Sequence, residues 1–439
     1  MPVAADFTFT IVTLGCPKNK VDSRSMRTAM LSHGFKEAIE EEKADFIIIN
    51  SCSFIEDAKK ETIDTTFEAI RIKGKKSIKV GLVGCFPERY QKQITEEIPE
   101  LDFTMGTGKY THLPALLSAK YNITLQNTLH WDQKSDENRG YSYYRLAKGC
   151  SRSCSFCIIP AIRGPHQSAS LEEISEEYNN DLILRNGVGP KEAILVSQDT
   201  LSSSYDEIDR AIKFFSDKED IEWIRLHYLF PEKKILRTME LFNKYKKLVP
   251  YLDIPFQHVS PRILRAMNRP ENPDFFPEIL SLASKYRSDM EIRTSFIIGF
   301  PGEEDSDVEE IADFIKQYPL HKISLFAYSS EEGTSSESMK SSISAEGVSE
   351  RINYLRNTHL QSREPHRSDL INTTTKLLID DVTQEEIIAR RAQDSPDIDE
   401  VVFIPGNYQK EYSVGQFIHA KLITPMEYDW LGELSQENL

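Results

Sequence analysis

No run of about 18 apolar residues occurs in this 439-residue chain, so no membrane-spanning helix is expected. The first fifteen residues lack the basic start, apolar stretch and small-residue cleavage site of an export signal, and the expected location is the cytoplasm. Positive charge is scarce: 53 Lys and Arg face 69 Asp and Glu, for a formal net charge of −16. A general nucleic-acid binder needs basic surface for its phosphate contacts, so this chain is a poor candidate for one. A field of that sign would attract a strongly basic protein, although acidity that only aids solubility is the plainer reading. Internal repeats are absent. Cysteine is absent after Cys157.

The six cysteines that are present lie at Cys16, Cys52, Cys85, Cys150, Cys154 and Cys157. In a long chain expected to sit in a reducing compartment, such residues point to metal or catalytic roles rather than disulfides. Three are spread over the first 85 residues and three fall within eight.

The length favours two or three domains. Residues 1–135 alternate strand and helix patterns: Phe7 to Leu14, Asp45 to Asn50 and Ile78 to Val83 read as strands, Val21 to His33 and Ala58 to Lys73 as helices. That rhythm predicts a Rossmann-like parallel sheet. Cys16, Cys52 and Cys85 each follow a strand, and loops at the carboxyl ends of parallel strands share one edge, so these distant thiols can meet. The polar stretch Asp132 to Arg139 reads as a linker. Residues 136–372 repeat strand and helix at least five times, which predicts a full or partial TIM-type βα barrel, ending in a Ser-rich loop from Glu331 to Ser344 and a helix from about Ser349 to Ile371. Residues 373–439 read as a small β-barrel. From Lys376 to Leu439 there are 5 basic residues against 13 acidic ones.

Cys150-Ser-Arg-Ser-Cys154-Ser-Phe-Cys157 spaces three thiols as C-x3-C-x2-C. Thiolates are the usual ligands of iron–sulfur clusters, and three of them on a four-iron cubane leave one iron open to chelate S-adenosylmethionine. Zinc is the rival, with His166 as a fourth ligand, but no second knuckle is present. Cys16, Cys52 and Cys85 are weak signals singly, since a lone buried cysteine is commonly an apolar filler. Their equivalent strand-end positions make a second cluster the better reading.

These segments resemble the radical S-adenosylmethionine methylthiotransferases over nearly the whole chain. Leu14-Gly-Cys-Pro-Lys-Asn19, Asn50-Ser-Cys52 and Gly84-Cys85 are similar to that family's N-terminal ligand motifs. Gly149 to Ile159, with Pro160 and Arg163-Gly164, is similar to its radical cluster loop, and the C-terminal segment resembles a TRAM domain. Gly15-Cys-Pro-Lys-Asn19, Ser197-Gln-Asp-Thr200, Leu226-His-Tyr-Leu-Phe-Pro231 and Tyr251-Leu-Asp-Ile-Pro-Phe-Gln-His258 favour the branch that modifies an aspartate of a small-subunit ribosomal protein over the branch that modifies tRNA. Gly299 to Glu303 matches a Gly-Phe-Pro-Gly-Glu element. Three positions depart from the pattern: Arg24 stands for a usual Glu, Ala169 for an Arg-bearing pair and Asn268 for a common Arg.

The resemblance implies two 4Fe–4S clusters and S-adenosylmethionine as cofactors, a basic ribosomal protein as substrate, a reducing donor such as a flavodoxin or ferredoxin, and a sulfur source. It implies hydrogen abstraction from the aspartate β-carbon, which ordinary base catalysis does not reach, followed by methylthio transfer. A tRNA substrate is disfavoured because an acidic C-terminal domain repels phosphate. A scaffold or carrier without radical chemistry is the remaining alternative.

Further cofactor contacts are expected at Phe156, Glu192, Gln198, Arg293, Ser295, Gly299 and Gly302. Phe156 either packs the adenine or packs its own loop. Glu192 is a candidate acceptor for the methionyl amino group or an ordinary strand-edge charge. Gln198, with Asp199, ends a barrel strand where functional groups face the open end. Arg293 and Ser295 alternate along an apolar strand and face the lumen, as cofactor ligands or as a polar filling. Gly299 and Gly302 let backbone approach the adenine or simply turn the chain.

Overall fold

The computed structural model describes residues 2–74, 77–127, 139–270, 274–340 and 343–435. The expected linker lies, apart from Arg139, outside the described residues. Among the described residues no helix is long and apolar enough to cross a membrane.

The first unit is a parallel sheet of β1 (Thr8–Thr13), β2 (Lys36–Glu37), β3 (Phe46–Ser51), β4 (Lys79–Gly84) and β5 (Phe103–Met105). Every residue of β3 is buried, as expected of a strand covered by helices on both faces. The strand order is β2-β1-β3-β4-β5. It therefore reverses between β1 and β3, and ligand crevices of doubly wound sheets open at that switch point. Helix α1 (Pro17–Ser32) follows β1, α2 (Glu56–Lys73) follows β3, and α3 (Cys85–Glu97) follows β4. Cys16 caps α1, Cys52 lies just past β3 and Cys85 opens α3, so two ligand candidates flank the switch point and the third sits one strand further on.

The second unit carries β6 (Tyr141–Arg145), β7 (Ala147–Lys148), β8 (Gln167–Ser168), β9 (Glu192–Val196), β10 (Trp223–Leu226), β11 (Tyr251–Asp253), β12 (Glu291–Ile298) and β13 (Lys322–Ala327). Two parallel three-stranded sheets form, β10-β9-β6 and β11-β12-β13. Hydrogen bonds from the Val249 amide to the Ile224 carbonyl and from the Leu229 amide to the Asp253 carbonyl, both 2.9 Å, join them. Six strands in this order make a partial barrel. The antiparallel β7–β8 pair closes the base of the loop that carries Cys150, Cys154 and Cys157.

Helix Ala345–Leu370 leads to the third unit. There β14 (Thr374–Val382), β15 (Glu386–Arg391), β16 (Val402–Pro405), β17 (Phe417–Pro425) and β18 (Trp430–Leu434) close into a barrel around Leu377, Ile379, Ile418, Ala420 and Trp430. Its β15–β16 connection enters the βα barrel: Arg225 donates to the Ala392 and Asp394 carbonyls at 3.0 Å, and Tyr251 donates to Asp399 at 2.7 Å.

Candidate active site

The distributed trio is assembled by side chains of its own motifs. Asn19 is fully buried, and its amide donates to the Leu14 carbonyl at 2.7 Å and the Ser51 carbonyl at 3.0 Å, tying the ends of β1 and β3. Asn50 donates back to the Asn19 carbonyl at 2.8 Å. Ser51 donates to the Val83 carbonyl at 2.6 Å and accepts from the Phe86 amide at 3.2 Å, tying β3 to β4. Thr62 of α2 fixes Cys52 through both backbone groups. Gly15 has φ +81, and a Cβ there would stand 2.9 Å from the Cys52 sulfur, so only glycine lets the first ligand loop approach the second.

The local trio sits on one loop. Gly149, φ +65, passes so close to the Pro165 and Gly164 carbonyls that a Cβ would come within 2.2 and 2.5 Å. Ser155 donates to the Ala266 carbonyl at 2.8 Å, and Asn268, itself at φ +52, donates to the Ser153 carbonyl and hydroxyl at 2.8 Å. Asparagine tolerates that left-handed backbone, which gives the departure at this position a physical reason. Arg269, fully stacked into the site over Phe230, points a guanidinium nitrogen at the Cys154 sulfur, 3.8 Å away.

Both sets of thiols suit a cluster. Burial pushes the Cys85 and Cys157 thiols up to about 12, and in each case neighbouring cysteines of the same trio add to the rise. Iron displaces such protons on binding. Among the described residues no three His, Cys, Asp or Glu side chains close on a single ion. A cubane does not require that, because each iron takes its own thiolate. His166 has its Nε2 against Ser168 and Ser203, both at 3.3 Å, rather than against the cysteines.

One short helix, Ile159–Arg163, joins the two trios. It begins two residues after Cys157, and Ile158 and Ile162 pack on Cys85. At its end, Arg163 donates to the Cys85 sulfur at 3.3 Å and to Asn19 at 2.6 Å, and pairs with Asp22 at 2.9 Å.

Residues 8–106 match the uncharacterized protein family UPF0004, 144–315 the radical SAM superfamily, and 371–434 the TRAM domain. The ribosomal protein uS12 methylthiotransferase RimO of Leptospira biflexa is 37% identical over 97% of this chain and 96% of its own length. That of Caldanaerobacter subterraneus is 35% identical, over 96% and 99%. The chain belongs to the RimO family of radical SAM methylthiotransferases. Among solved structures, the radical S-adenosylmethionine methyltransferase TsrM of Kitasatospora setae superimposes with a TM-score of 0.53 over 73% of this chain and 74% of its own. At 12% identity that likeness concerns the fold alone.

Within this RimO-family fold the remaining expected residues divide. Phe156 packs with Phe300, Ile263 and Met267, which brings the cluster loop onto the Gly299–Gly302 segment. Gln198 keeps a buried Oε1 without a partner among the described residues, as a polar group awaiting a ligand would. Its neighbour Asp199 instead holds Arg152 at 2.7 Å. Ser295 is buried on β12 opposite Ser324 of β13. A Cβ on Gly299 would strike Val348, while Gly302 faces open space with Arg262 nearest at 3.8 Å.

Glu192 and Arg293 require correction as cofactor ligands. Glu192 starts β9, at the strand end away from the cysteine loop, and is fully buried between Arg225, at 2.7 Å, and Arg390 of the C-terminal barrel. Arg293 is held by Asp399 at 3.1 Å and Asp253 at 3.8 Å. The Glu192 charge is already balanced by two guanidinium groups at the far end of the barrel from the cysteine loop. Both positions serve the seat of the C-terminal barrel, a domain contact that a strand pattern does not reveal.

The sequence reading missed several residues. Asn19, Arg163 and His258 lie in or beside the quoted motifs but carried no role. Buried His258 accepts the Val259 and Ser260 amides at Nδ1 (2.9 Å) and turns Nε2 toward Glu303, 3.6 Å away. Glu303 in turn accepts the Gly299 amide at 3.0 Å and Arg351 at 2.7 Å, so it fixes the turn on which Gly299 and Gly302 lie. Their signal was position: Asn19 and Arg163 lie within six places of a cysteine, and His258 ends the quoted Tyr251–His258 stretch.

Proposed function

We propose that this enzyme transfers a methylthio group to the β-carbon of an aspartate in ribosomal protein uS12. The observation that carries the reading is the packing of helix Ile159–Arg163, which stands between two thiol trios and touches a member of the second. When bound, a cluster on Cys150, Cys154 and Cys157 with S-adenosylmethionine supplies hydrogen abstraction, and one on Cys16, Cys52 and Cys85 supplies the sulfur to be methylated and transferred. Phe156, Gln198, Ser295, Gly299 and Gly302 are the proposed contacts of S-adenosylmethionine. Asn19, Asn50 and Ser51 hold the second set of ligands facing the first, and the buried wall of Ile158 and Ile162 keeps water from between them.

Charge supports a basic protein substrate over tRNA. Part of the acidity of the C-terminal domain is turned inward, since Asp394, Asp399 and Glu400 pair with barrel residues Lys322, Arg293 and helix residue Arg363. Asp381, Glu385, Glu411, Glu427 and Glu433 still face solvent, against Lys410 as the exposed base among the described residues of that domain. That surface repels phosphate and suits a basic partner. A cytoplasmic location, a flavodoxin or ferredoxin donor, a separate sulfur source, and division of the chain at 135/136 and 372/373 belong to the same proposal.

The test is mass spectrometry on a strain lacking the gene. The methylthio increment on uS12 is expected to vanish and to return with the wild-type gene. Loss of a thiomethylated tRNA nucleoside, with uS12 unchanged, would overturn the reading in favour of the tRNA branch.

A further inference from the structure

The helix between the trios ends in a side chain that ordinary structural needs do not explain. Arg163 is nine-tenths buried, yet it leaves its own loop to enter the sheet edge of the neighbouring domain. There its guanidinium group meets Asn19, Asp22 and the sulfur of Cys85 together. Asp22 does not neutralise it alone, because Arg145 claims the other Asp22 oxygen at 2.6 Å. Arg145 and Arg24 also approach Glu177, at 3.8 and 3.9 Å, and Arg24 and Arg185 share Asp181 at 3.5 and 3.0 Å. Within this buried net, four guanidinium groups meet three carboxylates. Arg163 thus shares its carboxylate with Arg145, and its remaining contact on that side is the Cys85 sulfur.

We propose that Arg163 is a positioning residue of the Cys16, Cys52 and Cys85 cluster, donating to the Cys85 sulfur and raising the cluster's reduction potential. A charge-assisted hydrogen bond to a ligand sulfur stabilises the more negative, reduced cluster, and low local dielectric strengthens the effect. Because Arg163 ends the helix that begins beside Cys157, the same side chain also fixes the separation of the two cluster loops. All three contacts on the N-terminal domain are made by one guanidinium nitrogen, Nη2, carried at the end of a longer side chain than that of lysine.

The inference rests on the reading that this trio holds a cluster. The test uses the full-length chain with Cys150, Cys154 and Cys157 changed to Ala, so that a single potential is read, and compares Arg163, Arg163→Gln and Arg163→Lys after anaerobic reconstitution. Iron of about four per chain is expected to persist. The midpoint potential is expected to fall for Arg163→Gln, with Arg163→Lys lying between it and the parent. An unmoved potential at full iron load in both variants would overturn the inference. Should both lose their iron, the same substitutions are made with all six cysteines present. Retained 5′-deoxyadenosine formation then supports positioning of the distributed trio, and its loss marks a general folding defect that sinks the proposal. If the distributed trio binds no cluster, the parent carries no iron at all, a result separate from an unmoved potential.

Discussion

The two thiol trios reach similar ends by opposite routes. Cys150, Cys154 and Cys157 belong to one loop, so chain connectivity holds them near each other and the β7–β8 pair closes the base. Cys16, Cys52 and Cys85 come from three strand ends, and their proximity depends on the sheet, on Asn19, Asn50 and Ser51, and on Arg163 from another domain. A local site is robust to distant change and visible as a spacing. A distributed site inherits every weakness of the packing that gathers it.

The largest expected effects come from the ligands themselves and separate the two trios by function. Alanine at Cys150, Cys154 and Cys157 together is expected to abolish 5′-deoxyadenosine formation, followed by chromatography of an anaerobic reaction with S-adenosylmethionine and a strong reductant. Alanine at Cys16, Cys52 and Cys85 together is expected to leave that cleavage in place while methylthio transfer to uS12 stops. Iron is expected to fall from about eight to about four per chain in either triple variant. If the second set of substitutions abolished cleavage as well, the trios would not be separate sites.

The same contrast governs what the sequence revealed. The local motif was legible because its chemistry is written in consecutive residues. The distributed trio was legible through the alternation of strand and helix patterns, since the ends of β1, β3 and β4 could be placed within about a residue of Thr13, Ser51 and Gly84. Glu192 and Arg293 misled for the complementary reason. Alternation along β12 turned Arg293 inward and Glu192 was placed at the start of a strand, but their partners Asp399 and Arg390 come from the C-terminal barrel, and no local pattern records that contact. The charge count of the C-terminal domain misled in part likewise: Asp394, Asp399 and Glu400 look like surface acidity until the docking partners are known. Pairs made between domains are the part of a fold least written in any one segment.

A moderate effect is expected from Asn19→Ala. The change leaves the Leu14 and Ser51 carbonyls and one Arg163 donor without their buried partner. Each unsatisfied buried group costs about 1–3 kcal/mol, so the unfolding free energy read from a urea titration is expected to drop by at least that range. Iron on the distributed trio should decline with it. Deoxyadenosine formation, which reads the local trio, should be spared.

The smallest effect is expected at the corresponding brace of the local loop. Asn268 is exposed and bonds Ser153 through two contacts of 2.8 Å. Water can replace those bonds, and glycine accepts φ +52 without strain, so Asn268→Gly removes the brace while keeping the backbone. The loss is expected to be about 0.5–1.5 kcal/mol in a urea titration, with iron and deoxyadenosine yields close to wild type. The prediction discriminates because the two asparagines play the same formal part, each tying a ligand loop to its neighbour. If Asn268→Gly stripped iron as readily as Asn19→Ala, connectivity would not be what secures the local trio, and its loop would need packing to gather it just as the strand ends do.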